Sequence, residues 1–254
     1  MTDEVATTFL MNPLTIARFC NLNEVRRRRG RPELLSLFMP GTDPERSLRP
    51  FIRTNSLFIH VPKAAGVSIA RALYGNLGMG HLTMEEYRAL FRPSALARMF
   101  KFAFVRNPFD RLHSAYHFLR GGGLSDEDAN FCWERLSVFP SFEHFVLEGL
   151  QKPEIATYWH FLPQCHFLDS GADTLDFIGR FESLEQDFEF VRMRVNPSAR
   201  LEHINRTPRE NQDYRQAYTA EMARSVAAQY ARDLDELGYE FDGVSSAPHP
   251  THGL

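Results

Sequence analysis

The segment Leu57–Leu73, L-F-I-H-V-P-K-A-A-G-V-S-I-A-R-A-L, constrains the fold more than any other stretch of the chain. An apolar strand runs into a loop of small residues with one lysine, and the loop runs into a helix. Such a junction is built to bind an anion. Backbone N–H groups of the loop and of the first helical turn converge, the helix dipole adds partial positive charge, and Lys63 adds a full one. Phosphate or sulfate is the natural guest. The order of residues counts against an ATP-splitting loop, which reads G-x-x-x-x-G-K-[ST] with its lysine after the glycines. Here Lys63 precedes Ala64, Ala65 and Gly66, and Val67 and the hydroxyl of Ser68 follow. On this segment alone, an ordinary strand-to-helix turn with an exposed lysine would look the same.

A second strand-loop-helix unit, Lys101–Phe118, reads K-F-A-F-V-R-N-P-F-D-R-L-H-S-A-Y-H-F. Phe102–Val105 is a short apolar strand, Asn107 is a helix cap, and Pro108 suits the first helical position. Phe109, Leu112, Tyr116 and Leu119 fall on one helical face. Arg106 and Ser114 are left to point elsewhere, and an arginine at a strand's carboxyl end with a serine on the next helix suits a second phosphate. The competing reading pairs Arg106 with Asp110 and satisfies Ser114 within its own helix.

Together the two units resemble the cofactor loops of sulfotransferases that use 3′-phosphoadenosine-5′-phosphosulfate (PAPS), whose first loop commonly reads P-K-T-G-G-T-S. Gly80-His81-Leu82, Leu162-Pro163-Gln164, Phe177-Ile-Gly-Arg-Phe-Glu-Ser-Leu184, His203-Ile-Asn-Arg-Thr207 and Tyr230–Phe241 extend the resemblance to the carbohydrate-type family, sulfotransferase family 2, over about residues 55–242. The resemblance implies a P-loop-like three-layer α/β fold with a central parallel sheet flanked by helices. It further implies PAPS as sulfuryl donor, a carbohydrate or glycolipid hydroxyl as acceptor, and no metal. Lys63, Ala64, Ala65, Gly66, Val67 and Ser68 would hold the phosphosulfate, Arg106 and Ser114 the 3′-phosphate, and Arg206 and Thr207 would close over the nucleotide.

Lys63 is the expected partner of the leaving group, and His81 the expected general base, since Gly80-His81 matches the catalytic histidine of uronosyl sulfotransferases. His60, His113 and His117 compete for that role. Two departures from the family loop stand out: Ala64 and Val67 replace threonines, removing two hydroxyl donors. A catalytically silent nucleotide-binding or interaction protein of the same fold is therefore a second reading. A small-molecule kinase is a third, disfavoured by the loop order.

The 254 residues, 43% of them hydrophobic and 13% aromatic, supply the core of a single domain. Residues 1–50 and 243–254 are peripheral to it and lack family marks. Alternating strand and helix signals match an α/β sheet with ligands at the strands' carboxyl ends. Tyr218, Met222, Val226, Tyr230 and Leu234 repeat every four residues before Gly238, predicting one C-terminal helix with a core-packing stripe. The net charge of −3 argues against a nucleic-acid partner. The basic run Arg26–Arg29 with Arg31 has the character of a solvated face. No apolar run reaches membrane-span length, and three cysteines lack metal-ligand spacing, so the expected setting is cytoplasmic, unlike that of the anchored Golgi relatives.

Overall fold

Two short apolar runs supply the first two strands of the sheet, because each offers buried side chains to both faces and lacks the polar alternation of a half-exposed strand. In the computed structural model, which describes residues 48–77, 80–168, 175–201 and 213–245, the principal elements follow one another as α1 (Arg49–Thr54), β1 (Ser56–Ile59), α2 (Gly66–Tyr74), α3 (Met84–Leu90), β2 (Phe100–Val105), α4 (Pro108–Arg120), α5 (Asp126–Phe131), β3 (Phe177–Arg180), α6 (Leu184–Val195), α7 (Ala220–Gln229), α8 (Ala231–Leu237), β4 (Tyr239–Glu240) and β5 (Gly243–Val244). They fall into two compact units. The first comprises the described parts of Met1–Val61, Ala65–Phe104 and Phe167–Glu202; the second, those of Pro62–Ala64, Val105–His166 and His203–Leu254.

The first unit is built on a three-strand parallel sheet of order β1-β2-β3 flanked by helices. Ser56 lies opposite Phe100 and Ile59 opposite Ala103. Leu57, Phe58, Ile59, Phe102, Ala103 and Phe104 are buried, and Phe58 stacks on Phe102 with ring centroids 5.1 Å apart. β3 approaches closely because Gly179 has no side chain: a Cβ there would meet Phe104 at 2.6 Å. Thr83 starts α3 through a reciprocal capping box with Glu86, the Thr83 N–H donating to Glu86 Oε2 at 2.8 Å and the Glu86 N–H to Thr83 Oγ1 at 3.2 Å. That cap fixes where the preceding Gly80-His81-Leu82 turn ends.

In the second unit, α4 begins as its sequence predicts: Asn107 Oδ1 accepts from the Phe109 N–H at 3.0 Å, and Pro108 takes the first position. Phe109, Leu112, Tyr116 and Leu119 are all buried. They join Leu136, Phe139, Phe145, Phe161, Met222, Val226 and Tyr230 in one core. The expected single C-terminal helix is two, because the chain leaves helical geometry at Tyr230 (φ −112°, ψ 27°). A strict four-residue repeat drifts by about 40° per step around a straight helix. The break at Tyr230 therefore lets the row stay on the core. Gly238, in the left-handed region at φ 67°, ends α8 as expected. Among the described residues no helix is long and apolar enough to cross a membrane.

Candidate functional site

The loop between β1 and α2 takes an unusual backbone path. Lys63 and Ala65 both sit in the left-handed region, at φ 67° and 61°, which costs a non-glycine residue about 1–2 kcal/mol. Such strain is held only where surrounding structure enforces it, and a left-handed residue before a right-handed one turns successive N–H groups the same way, as in an anion-binding nest. Ala65 is the residue in front of helix α2. The first rung of that helix is the Ile69 N–H donating to Ala65 O at 3.1 Å. The N–H groups of Gly66, Val67 and Ser68 thus lie ahead of the intrahelical ladder. Ala64, Gly66 and Ser68 are buried, while Lys63, Ala65 and Val67 are half-buried.

Within the first unit, Gly66 packs against His60 so closely that a Cβ would fall 1.8 Å from His60 Cδ2. The buried His60 ring is held in turn by Phe58, stacked at 5.7 Å, and by His81, edge-on at 4.5 Å. His81 Nδ1 lies 3.1 Å from the main-chain carbonyl oxygen of His60. A carbonyl only accepts, so Nδ1 is the donor, and a neutral ring in this pose carries its lone pair on Nε2. That is the tautomer a base acting through Nε2 requires. His60 itself serves as packing and as the acceptor that orients His81.

Within the second unit, the Lys63 ammonium lies 3.9 Å from the centre of the Phe118 ring, a cation–π contact. Lys63 O accepts from Arg106 Nη1 at 3.2 Å, so one chemical connection already joins the two residues that sequence reading placed on phosphates. Arg106 is buried, and its Nε donates to Asp110 Oδ2 at 2.8 Å. The ion pair of the competing reading is therefore present. Its other half is not: the Ser114 hydroxyl is buried and makes no hydrogen bond among the described residues, although its own helix offered a carbonyl one turn back. A buried hydroxyl without a partner costs about 1–3 kcal/mol, and a phosphate oxygen would satisfy it.

His113 and His117 pair with each other, Nε2 to Nε2 at 3.1 Å. Arg206, Thr207 and the Arg26–Arg31 run lie outside the described residues. Sequence reasoning gave no role to five polar residues of the second unit. Gln164 is fully buried and bonds the main chain of Arg106 on both sides, accepting from its N–H at 2.9 Å and donating to its carbonyl at 2.8 Å. Asp233, Arg111 and the Asp128–His160 pair are buried as well. Asp128 Oδ1 accepts from His160 Nε2 at 3.2 Å and from Tyr158 OH at 2.8 Å. Burial alone would raise the Asp128 carboxyl, but the bonds from His160, the Leu124 N–H and Tyr158 outweigh it and hold it at about 2. Burial pushes His160 below the ordinary histidine value despite Asp128, with Lys63 and Arg111 adding to the effect. Gln164, Arg111 and Asp233 stood in strings that carried the family resemblance, Leu162-Pro163-Gln164, Lys101–Phe118 and Tyr230–Phe241, without a chemical role of their own.

Human carbohydrate sulfotransferase 8 is 27% identical to the chain over 225 residues, an alignment covering 74% of this chain and 51% of that protein. The chain thus spans about half the length of the curated relative it matches. No solved structure matches. The sequence model of the sulfotransferase family matches residues 53–239, a span that runs from before β1 to beyond α8 and includes the strained loop, Arg106, Ser114 and Gln164, so the chain belongs to the sulfotransferase family.

Proposed function

We propose that this protein is a PAPS-dependent sulfotransferase acting on a hydroxyl of a carbohydrate or glycolipid, with residues 1–254 as a single domain of P-loop-like α/β fold whose core is about residues 55–242. The observation that carries the reading is the buried Ser114 hydroxyl, without a hydrogen-bond partner among the described residues, in the same unit as Arg106 and Lys63. PAPS differs from ATP in its 3′-phosphate, and a serine hydroxyl with an arginine fork is a phosphate-binding pair. The loop supports the same reading, since two left-handed residues before a helix shape backbone donors toward an anion. The acceptor class rests on the name of the human relative.

When bound, PAPS supplies a sulfuryl group on a phosphosulfate anhydride. Lys63 stabilises negative charge growing on the leaving phosphate, and the N–H groups of Ala65, Gly66, Val67 and Ser68 share that load. Ala64 and Val67 lack the hydroxyls of the family's usual threonines, so the loop binds through its backbone. Arg106 and Ser114 hold the 3′-phosphate and thereby orient the donor. His81, with its proton on Nδ1, removes the proton of the acceptor hydroxyl through Nε2. No residue in this scheme calls for a metal. Arg206 and Thr207 are assigned to the nucleotide by resemblance, and a cytoplasmic setting is part of the same proposal.

Calorimetric titration with 3′-phosphoadenosine-5′-phosphate, against 5′-AMP and ATP, tests the donor. Tight binding that needs the 3′-phosphate and is lost in Arg106→Ala supports the reading. Preference for ATP, or no binding, overturns it. Transfer of labelled sulfate from PAPS to a panel of glycans then separates an enzyme from a silent binder, the second reading that Ala64 and Val67 raise.

A further inference from the structure

The Leu162-Pro163-Gln164 motif and the buried carboxylate of Asp233 have no part in the scheme above. We propose that Gln164, anchored by Asp233, is a positioning residue that sets the arginine on which 3′-phosphate recognition depends; the inference rests on the proposed role of Arg106.

β2 ends at Val105, so the buried main chain of Arg106 lies beyond the strand and needs partners from elsewhere. The Gln164 amide supplies both. Its Oε1 accepts from the Arg106 N–H at 2.9 Å and its Nε2 donates to the Arg106 carbonyl at 2.8 Å. The N–H can only donate and the carbonyl only accept, so the orientation of the amide is set by chemistry. Both groups flanking the Arg106 Cα are thereby tied down, and the guanidinium is left to be aimed by Asp110 at 2.8 Å and Lys63 O at 3.2 Å.

Gln164 is itself held by α8. Asp233, fully buried, accepts from the Gln164 N–H through Oδ2 at 2.7 Å and from the Cys165 N–H through Oδ1 at 2.9 Å. The residues before Gln164 are fastened too. Arg111 donates to His160 O at 3.3 Å and to Leu162 O at 2.5 Å, and Tyr230 OH donates to Phe161 O at 2.8 Å. Segment 160–165 is therefore a rigid bracket hung from α4 and α8, and its working end is the Gln164 amide. A buried carboxylate with two backbone donors is stable only while the segment keeps this shape. The bracket thus passes the position of α8 to Arg106.

The test compares affinities for 3′-phosphoadenosine-5′-phosphate and 5′-AMP by calorimetry, using the full chain. Gln164→Leu keeps the volume and removes both bonds; Gln164→Glu keeps the acceptor for the Arg106 N–H and turns the donor into a second acceptor. Folding of each is checked by circular dichroism. The expected result is a loss of preference for the 3′-phosphate by about tenfold or more, as expected for a misplaced binding group, with 5′-AMP affinity unchanged within about twofold. Gln164→Glu serves if Gln164→Leu does not fold, and an intermediate loss is expected from it. A 3′-phosphate preference that survives in folded Gln164 variants overturns this inference alone, as does an equal fall for both nucleotides, the mark of a purely structural role. Absence of any preference in the unaltered protein overturns the reading of Arg106 and this inference with it.

Discussion

Gly66→Ala is the sharpest perturbation the loop offers, because the backbone there would accept alanine while the space would not. The new Cβ would fall 1.8 Å from His60 Cδ2 and 1.9 Å from Nε2, against 3.4 Å or more for ordinary contact. The imidazole has little room to retreat, with Phe58 stacked on it at 5.7 Å and His81 against it at 4.5 Å. Overpacking of this kind costs about 1–3 kcal/mol, and alanine returns at most about 1 kcal/mol of helix propensity, less at a helix start. A net loss of about 1–2 kcal/mol lowers the melting temperature by about 2–8 °C in a chain of this size. The assay is a double-mutant cycle with His60→Ala, read by thermal and urea unfolding. Once the imidazole is gone, Gly66→Ala should be neutral or stabilising, giving a coupling of about 1–3 kcal/mol. An equal loss in both backgrounds, or none in either, would refute the packing argument. Because His60 also orients His81, Gly66→Ala should lower turnover more than nucleotide affinity.

Ser114→Ala should leave stability unchanged or raise it by up to about 1–3 kcal/mol, since it removes a buried hydroxyl with no partner among the described residues, yet weaken 3′-phosphoadenosine-5′-phosphate binding; parallel unfolding and calorimetry read the opposite signs. Lys63→Ala should lower sulfuryl transfer by about 10²–10³-fold, the scale for loss of one charge-stabilising group, with product nucleotide still bound. Stability should fall on acidification in two windows. His160 is held neutral by burial, below its unfolded value, so its contribution is present above about pH 6.5 and is lost as pH falls below it. Asp128, held at about 2, adds a second loss as pH drops from about 4 toward 2. In His160→Gln the first loss should flatten in melting curves between pH 7 and 5, and an unchanged slope would exclude this histidine.

What the sequence determined by itself was everything set by neighbours along the chain. The Asn107 cap, Pro108, the buried face of α4, the Gly238 stop and the order of residues in the Lys63 loop all follow from spacings of a few residues, where geometry is local. The same order of residues was enough to point to the sulfotransferase family. Tertiary structure decided the rest. Whether Arg106 meets Asp110, whether Ser114 is satisfied, and that His60 both crowds Gly66 and orients His81 depend on which surfaces meet. The break at Tyr230 follows from a core that straight helical geometry would turn away from. Most plainly, Gln164 reaches Arg106 across 58 residues and Asp233 reaches Gln164 across 69. No periodicity announces such bonds, because a buried polar group is satisfied by whatever partner the fold brings to it, and the partner's place in the chain carries no trace of the meeting.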